Sequence, residues 1–159
     1  MHTVEEGIEL SCFYPMDKHE YEMTIKDRGR NVYFMPHGSQ SRFAIANSLQ
    51  KYGSKRVKHT FMFKFLDNAK IDTVLNGTLA EIYRMGERKM IPLIFCHGLT
   101  GNRMTHSGQL RELASHGYCV FTLTHFDGTS NLSKKKDGSR IYWLNEGLLL
   151  DFHLRKKQL

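Results

Sequence analysis

Pro92-Leu93-Ile94-Phe95-Cys96-His97-Gly98-Leu99-Thr100-Gly101-Asn102 runs from an apolar segment into a glycine turn, and Leu113-Ala114-Ser115-His116-Gly117-Tyr118-Cys119-Val120-Phe121-Thr122-Leu123-Thr124 completes the unit. Leu93-Ile94-Phe95-Cys96 is a continuous apolar run, which suits a strand buried on both faces. Over 104–115, Met104, Leu110, Leu113 and Ala114 fall at helical spacing, and Gly117 is placed to stop that helix. Residues 118–124 form a second apolar strand, followed by His125-Phe126-Asp127-Gly128. Strand, about a dozen helical residues and strand make a βαβ unit. Such a unit predicts a parallel sheet with a right-handed crossover, and hence an α/β fold class. Ligands of such sheets gather beyond the carboxyl ends of the strands. The stretches 97–102 and 125–130 both lie there.

Outward from this unit the signals weaken. Residues 8–14 (Ile-Glu-Leu-Ser-Cys-Phe-Tyr) read as a strand stopped by Pro15. Residues 16–31 are polar and charged and read as a loop. Ser39 or Ser41 is placed to cap a short helix over 42–52, Arg42 to Tyr52, with Gly53 as its stop. Phe43, Ala46, Leu49 and Tyr52 would share one face of it. Residues 59–66 fit a strand or a buried helical turn, and 78–83 fit a helix or a strand. The segment 84–90 is a charged connector containing Gly86.

The chain has 159 residues, room for a single domain. Apolar residues make up 40% and charged residues 25%, which excludes wholesale disorder. No apolar run approaches the roughly eighteen residues of a transmembrane helix. Cys12, Cys96 and Cys119 form no C-x-x-C pair, which argues against a zinc site or a disulfide scaffold and for reduced, buried thiols. The formal charge is +7. The basic residues are mostly scattered. Their two clusters, Lys134-Lys135-Lys136 and Arg155-Lys156-Lys157, lie in a polar stretch and at the C-terminus. No basic face alternates with aromatics, so nucleic acid is not expected as a partner. The start of the chain lacks a signal-peptide pattern, and residue 2 is His2 rather than a myristoylated Gly. A cytoplasmic location is the expectation.

A strand that enters a glycine turn and then a helix exposes backbone N–H groups that carry partial positive charge. Glycine lets an oxygen approach with no Cβ in the way. The turn therefore suits an oxyanion hole or a phosphate site. Neither nucleotide-binding glycine pattern is present. A plain tight turn at Gly98 and Gly101 accounts for the same residues.

The stretch 92–103 resembles the oxyanion segment of α/β-hydrolases, and more narrowly that of the platelet-activating factor acetylhydrolase family. That family has an apolar strand, His-Gly-Leu-Gly, a nearby Arg, a helix, and Leu-Ala-Ser-His-Gly before the next strand. Here His97-Gly98-Leu99 is kept, Thr100 replaces the second Gly, Arg103 follows, and 113–117 match closely. The family's Glu-His-x-Asp strand end appears as Thr124-His125-Phe126-Asp127. Upstream, Cys12-Phe13-Tyr14-Pro15 is similar to its aromatic-Tyr-Pro strand end. Trp143-Leu144 and 152–159 weakly resemble the stretch before its nucleophile region.

What the resemblance implies is an esterase that hydrolyses the sn-2 acetyl or short acyl ester of phospholipids by a Ser-Asp-His mechanism, with no cofactor and no metal. The Leu99 N–H matches the family's oxyanion donor, and His97 and Gly98 complete the turn against substrate. The nucleophile should sit in G-x-S-x-G on a strand-to-helix elbow. No such motif occurs: Gly128-Thr129-Ser130-Asn131-Leu132 lacks the second Gly, and Ser107 has Thr105 where the first Gly belongs. The expected architecture is thus an incomplete α/β-hydrolase fold over 1–159, the N-terminal part of the domain. Its nucleophile, acid and base would lie outside these residues, and the chain would be inactive alone. His97 fits better as a structural member of the turn than as a base. His125 and Asp127 fit better as hydrogen-bonding loop residues than as a catalytic pair. Cys96 is disfavoured as a nucleophile because it should point into the sheet core.

Two further expectations follow from the resemblance. Without later strands, Leu93 to Cys96 would lie on an open edge, to be covered by the remaining sheet or by a partner chain. The amphipathic stretch from Arg42 to Tyr52 could rest on a membrane surface or pack on the body. Two alternatives stand beside the esterase reading: a non-catalytic binding or scaffold subunit, and a general carboxylesterase.

Overall fold

The computed structural model describes residues 8–51 and 60–143. The expected Tyr52 and Gly53 helix end, the 155–157 basic cluster and the 152–159 resemblance lie outside the described residues, as do the side chains of Ala46 and Leu49.

A three-stranded sheet in the order β1-β3-β2 organises the described chain: β1 is Leu10–Phe13, β2 is Ile91–Cys96 and β3 is Tyr118–Leu123. β2 and β3 are parallel, with Leu93 opposite Val120 and Phe95 opposite Thr122. β1 is antiparallel to β3, with Phe13 opposite Val120. The βαβ unit is present as read, and mixed sheet and helix make the fold α/β. A second small sheet pairs β4 (Leu132–Lys134) with β5 (Arg140–Tyr142). The polar 135–139 stretch between them is a turn, closed by the Gly138 N–H on the Lys135 carbonyl at 3.0 Å.

The crossover helix α4 is Ser107–Ser115. It begins later than the apolar spacing suggested, because Asn102 captures the turn before it. The Asn102 Oδ1 accepts from the Met104 N–H at 2.8 Å, and the Thr105 hydroxyl accepts from the Asn102 N–H at 2.8 Å. Gly117 ends the helix at φ 94°. A Cβ there would sit 2.7 Å from the Tyr83 hydroxyl, so glycine is required for both shape and space.

Alternation along the strands sends Ser11, Phe13, Leu93, Phe95, Val120 and Thr122 to one face. On that face Phe13, Val120, Met104, Leu110 and Ala114 form the core, with Leu93 and Phe95 packed against it. The other face carries Leu10, Cys12, Ile94, Cys96, Cys119 and Phe121. Here two expectations are corrected. β2 is not buried on both faces: Ile94 is 67% exposed. The thiols are not buried either, since Cys12 and Cys96 are exposed and Cys119 is half-exposed. The reason is one-sided packing: α4 lies over Val120 and Phe13, while β1 and β2 are the two outer strands of the described sheet.

Residues 16–31 are not a loop. α1 spans Lys18–Arg28 with no buried residue, so no apolar face announced it. Its supports are local: the Tyr21 N–H on the Asp17 carbonyl, Gly29 at φ 66° closing onto the Ile25 carbonyl at 2.9 Å, and basic Lys26 and Arg28 in the last turn. The Asp17 carboxylate instead accepts from the Glu81 N–H at 2.8 Å, at the start of α3 (Glu81–Arg84). That single turn resolves the ambiguity over 78–83 as helical.

α2 is Ser39–Lys51, and a 3₁₀ segment, Thr60–Asn68, occupies the undecided apolar stretch. The inward face of α2 is not the one expected. Ser41 and Ala44 are buried, while Phe43 is 53% exposed. Arg42 explains the rotation: its Nε pairs with Asp67 of the 3₁₀ segment at 3.3 Å, both side chains being largely covered.

Candidate active site

The turn His97–Asn102 leaves the carboxyl end of β2, and residues 124–131 leave the carboxyl end of β3. Four hydrogen bonds join this turn, together with Arg103 just after it, to the second segment. The His125 N–H donates to His97 Nε2 at 3.1 Å, the Thr100 N–H to the Thr129 carbonyl at 2.7 Å, the Asn131 N–H to the Gly101 carbonyl at 3.2 Å, and the Arg103 N–H to Thr124 Oγ1 at 3.2 Å. The parallel register makes this possible, since Cys96 and Leu123 end the two strands level with each other.

His97 is 1% exposed. Its Nδ1 lies 2.7 Å from the Gly98 carbonyl and donates to it, while Nε2 accepts from His125. These partners fix the neutral tautomer with the proton on Nδ1. The His125 ring stands edge-on to His97 at 4.4 Å. Gly101 is pressed against the same imidazole: a Cβ there would meet His97 Cβ at 3.0 Å and Nδ1 at 3.1 Å. Gly98 is the opposite case, with nothing within 4 Å of where its Cβ would be. Leu99 is 38% exposed, at the outer corner of the turn. The turn thus has a buried histidine inside it, and an open glycine and an exposed leucine on its outer side.

Thr100 lies in the left-handed region at φ 59°, where a β-branched residue is strained. The short bond from its N–H to Thr129 holds it there.

The segment after β3 is a polar interior. Asp127 Oδ1 accepts from the Thr129 N–H at 2.8 Å and from its hydroxyl at 2.5 Å. Ser130 and Ser133 both donate to the His125 carbonyl, at 2.8 and 2.5 Å. Ser130 is fully buried and is followed by β4, not by a helix, so Gly128-Thr129-Ser130 is no elbow. Ser107, also buried, opens α4 from a non-glycine turn. Among the described residues no group of three metal-ligating side chains comes together.

Sequence reasoning named Arg103 but missed what it does. Its Nη1 pairs with Glu9 at 3.0 Å, its Nε donates to the Ser11 hydroxyl at 3.1 Å, and its carbonyl accepts from Thr122 at 3.1 Å. Glu9 also meets His37 Nε2 at 3.0 Å. Burial pushes the Glu9 carboxyl up, but the His37 hydrogen bond and the Arg103 charge outweigh it, and the net shift is downward. Arg103 thus ties the turn to β1. The signal was a charged residue in the turn between the end of β2 and the start of α4.

The Cys96 argument changes as well. Cys96 faces outward from the sheet rather than into its core. A cavity of about 640 Å³ lies away from the turn, between β1, α1, residues 72–77 and α4, with Phe13, Tyr21, Val74 and Arg111 in its wall. It includes none of His97, Gly98 and Leu99, so it is a separate feature and not a substrate pocket for this turn.

Of the described residues, no helix is long and apolar enough to cross a membrane. No curated protein matches the chain. A family model described as platelet-activating factor acetylhydrolase, isoform II, matches residues 2–146. A match over nearly all of the chain takes in β1, the βαβ unit, the turn and the polar interior together, and it is to that family of phospholipid acetylhydrolase-like esterases that this chain belongs.

Proposed function

We propose that this chain supplies the oxyanion side of an esterase acting on the sn-2 acetyl or short acyl ester of phospholipids. The Leu99 N–H donates to the ester carbonyl oxygen as negative charge grows on it. His97 holds the turn rigid from inside, and Gly98 leaves room for the substrate. The observation that carries the reading is the turn itself: a fully buried, doubly bonded His97 beside an open Gly98 and an exposed Leu99, at the carboxyl end of a parallel strand. A fixed donor of this kind contributes about 3–4 kcal/mol to the transition state of a complete site.

The attacking serine is absent from this picture. No G-x-S-x-G occurs in the 159 residues, and Ser130 is sealed in the interior. On this reading the described sheet is part of an α/β-hydrolase sheet, and the 159 residues do not turn over alone. The nucleophile strand would pair beside β2, whose outer side is open, and would bring a serine to the turn. A second reading has an observation of its own. The 67% exposed Ile94 on an outer strand also suits a non-catalytic subunit whose partner covers that strand.

The test is to give the 159-residue chain a 2-acetyl phosphocholine substrate and a fluorophosphonate probe. The expected result is no acetate release above buffer and no labelled serine. Turnover, or a labelled serine mapped within 1–159, overturns the placement of the nucleophile outside the chain. A stoichiometric partner that covers β2 and carries no reactive serine would favour the second reading.

A further inference from the structure

All three cysteines project from the open face of the main sheet, and two of them meet. Cys12 in β1 is opposite Phe121 in β3, so Cys119 lies two residues along on the same face. Their Sγ atoms are 3.5 Å apart, across 107 residues of sequence, and both thiols are free. Cys12 is exposed and Cys119 half-exposed. Small reagents can therefore reach the pair. Cys96 shares the face but lies on the far strand, beyond β3.

We propose that Cys12 and Cys119 are a paired-thiol modification site, which low-molecular-weight disulfides such as glutathione disulfide oxidise to a cross-link between β1 and β3. The Cys119 thiolate attacks one sulfur of glutathione disulfide and expels one glutathione thiolate, leaving a mixed disulfide on Cys119. Cys12 then loses its proton to solvent and attacks the Cys119 sulfur. The Cys12–Cys119 bond forms and the second glutathione leaves. Two protein S–H groups become one S–S bond, and the reagent is reduced to two thiols. The order follows from Cys12: burial and the neighbouring Cys119 thiol push its thiol up to about 12, which makes it the second to react. The same shift makes cross-linking faster as pH rises.

Diagonal neighbours across a sheet stand about 7–8 Å apart at Cα, beyond the roughly 6.8 Å that a relaxed disulfide spans, so closing the bond has to draw β1 and β3 together and leaves it strained. A stretched bond on an accessible face is the kind that excess thiol reopens, so the site is reversible rather than structural. When closed, it ties the edge strand to the central one and restricts the unfolded chain over a long loop.

The experiment uses the 159-residue chain. It is treated with glutathione disulfide at pH 8, alkylated with iodoacetamide, digested without reduction and mapped by mass spectrometry. The expected product joins the Cys12 and Cys119 peptides, leaves Cys96 outside the cross-link, reverts with dithiothreitol, and raises the thermal midpoint by several degrees. In C12S the reaction should stop at a mixed disulfide on Cys119. A trivalent arsenical selective for thiol pairs provides a second readout that needs no oxidation. It should bind one to one, be lost in C12S and C119S, and persist in C96S. Separate alkylation of Cys12 and Cys119, stable glutathione on each, or a cross-link through Cys96 would overturn the proposal. If a serine variant fails to fold, the peptide map of the unmodified chain still decides.

Discussion

At the scale of single residues, the turn is held by conformations that make definite demands. Thr100 at φ 59° carries a left-handed cost of about 1–2 kcal/mol, and glycine there would add back about 0.5–1 kcal/mol of chain entropy. Thr100→Gly should therefore stabilise the chain by about 0.5–1 kcal/mol, read from urea unfolding; a loss of stability would mean that the threonine side chain does more than tolerate the turn. Gly101→Ala should cost about 1–3 kcal/mol, because its Cβ enters the space of the His97 ring. The His97 imidazole resonances should shift with it, and an unmoved imidazole would show that the turn gives way elsewhere. Much of this was legible. The His-Gly-Leu spacing pointed to the glycine turn at the end of the strand. The bond from Thr100 to Thr129 was not legible, because a backbone pairing between residues far apart in sequence leaves no side-chain signature.

Elements differ in how their stability is supplied, and that decided which could be read. The βαβ unit was legible because apolar runs, helical spacing and Gly117 all agree. α1 was not, because it buries nothing and adds only a polar contact to a residue far along the chain to its local supports. Its Tyr21 hydroxyl bonds to Asp72, which also pairs with Arg30 at 2.9 Å and with Arg111 of α4 at 3.0 Å. The Tyr21 hydrogen bond draws the Asp72 carboxyl down. Partial burial opposes it, and Arg30 and Arg111 add to it. A depressed carboxyl contributes stability above its unfolded pKa, and the contribution fades as pH falls through the lower folded value. Amide exchange in α1 should therefore quicken as pH falls below the ordinary aspartate range, beyond the intrinsic pH effect. Asp72→Asn should show that faster exchange already at neutral pH. Unchanged protection in Asp72→Asn would mean that α1 docks by other means. Glu9 obeys the same sign: with its carboxyl net-lowered, the tie from Arg103 to β1 weakens on acidification, and Glu9→Gln should flatten the acid limb of the stability curve.

At the scale of the molecule, the deciding feature is a sheet that the described residues cover on one side. The parallel pair and the α/β class were within reach of the sequence, while the antiparallel place of β1 beside β3 was not. The expectation that β2 is buried on both faces was wrong, because an apolar run reports what a strand prefers and not what is present to cover it. With Ile94 exposed on an outer strand, the chain should associate through β2 as concentration rises. Ile94→Lys should lower that association in light scattering with little change in unfolding midpoint, since the side chain is already in solvent; unchanged association would place the sticky surface elsewhere. On the proposed function the nucleophile comes from outside these residues, so the sequence carries no signal for how it reaches the turn.

The oxyanion role of the Leu99 N–H is tested most directly in a chimera. Residues 91–127 would replace the matching strand–turn–helix–strand of an active esterase of the family, with the Gly98–Leu99 peptide either intact or changed to an ester that deletes only the N–H. The intact chimera should hydrolyse a 2-acetyl phospholipid, and the ester form should lose about 10²–10³ in kcat with KM little changed. Equal kcat in the two forms would contradict the assignment.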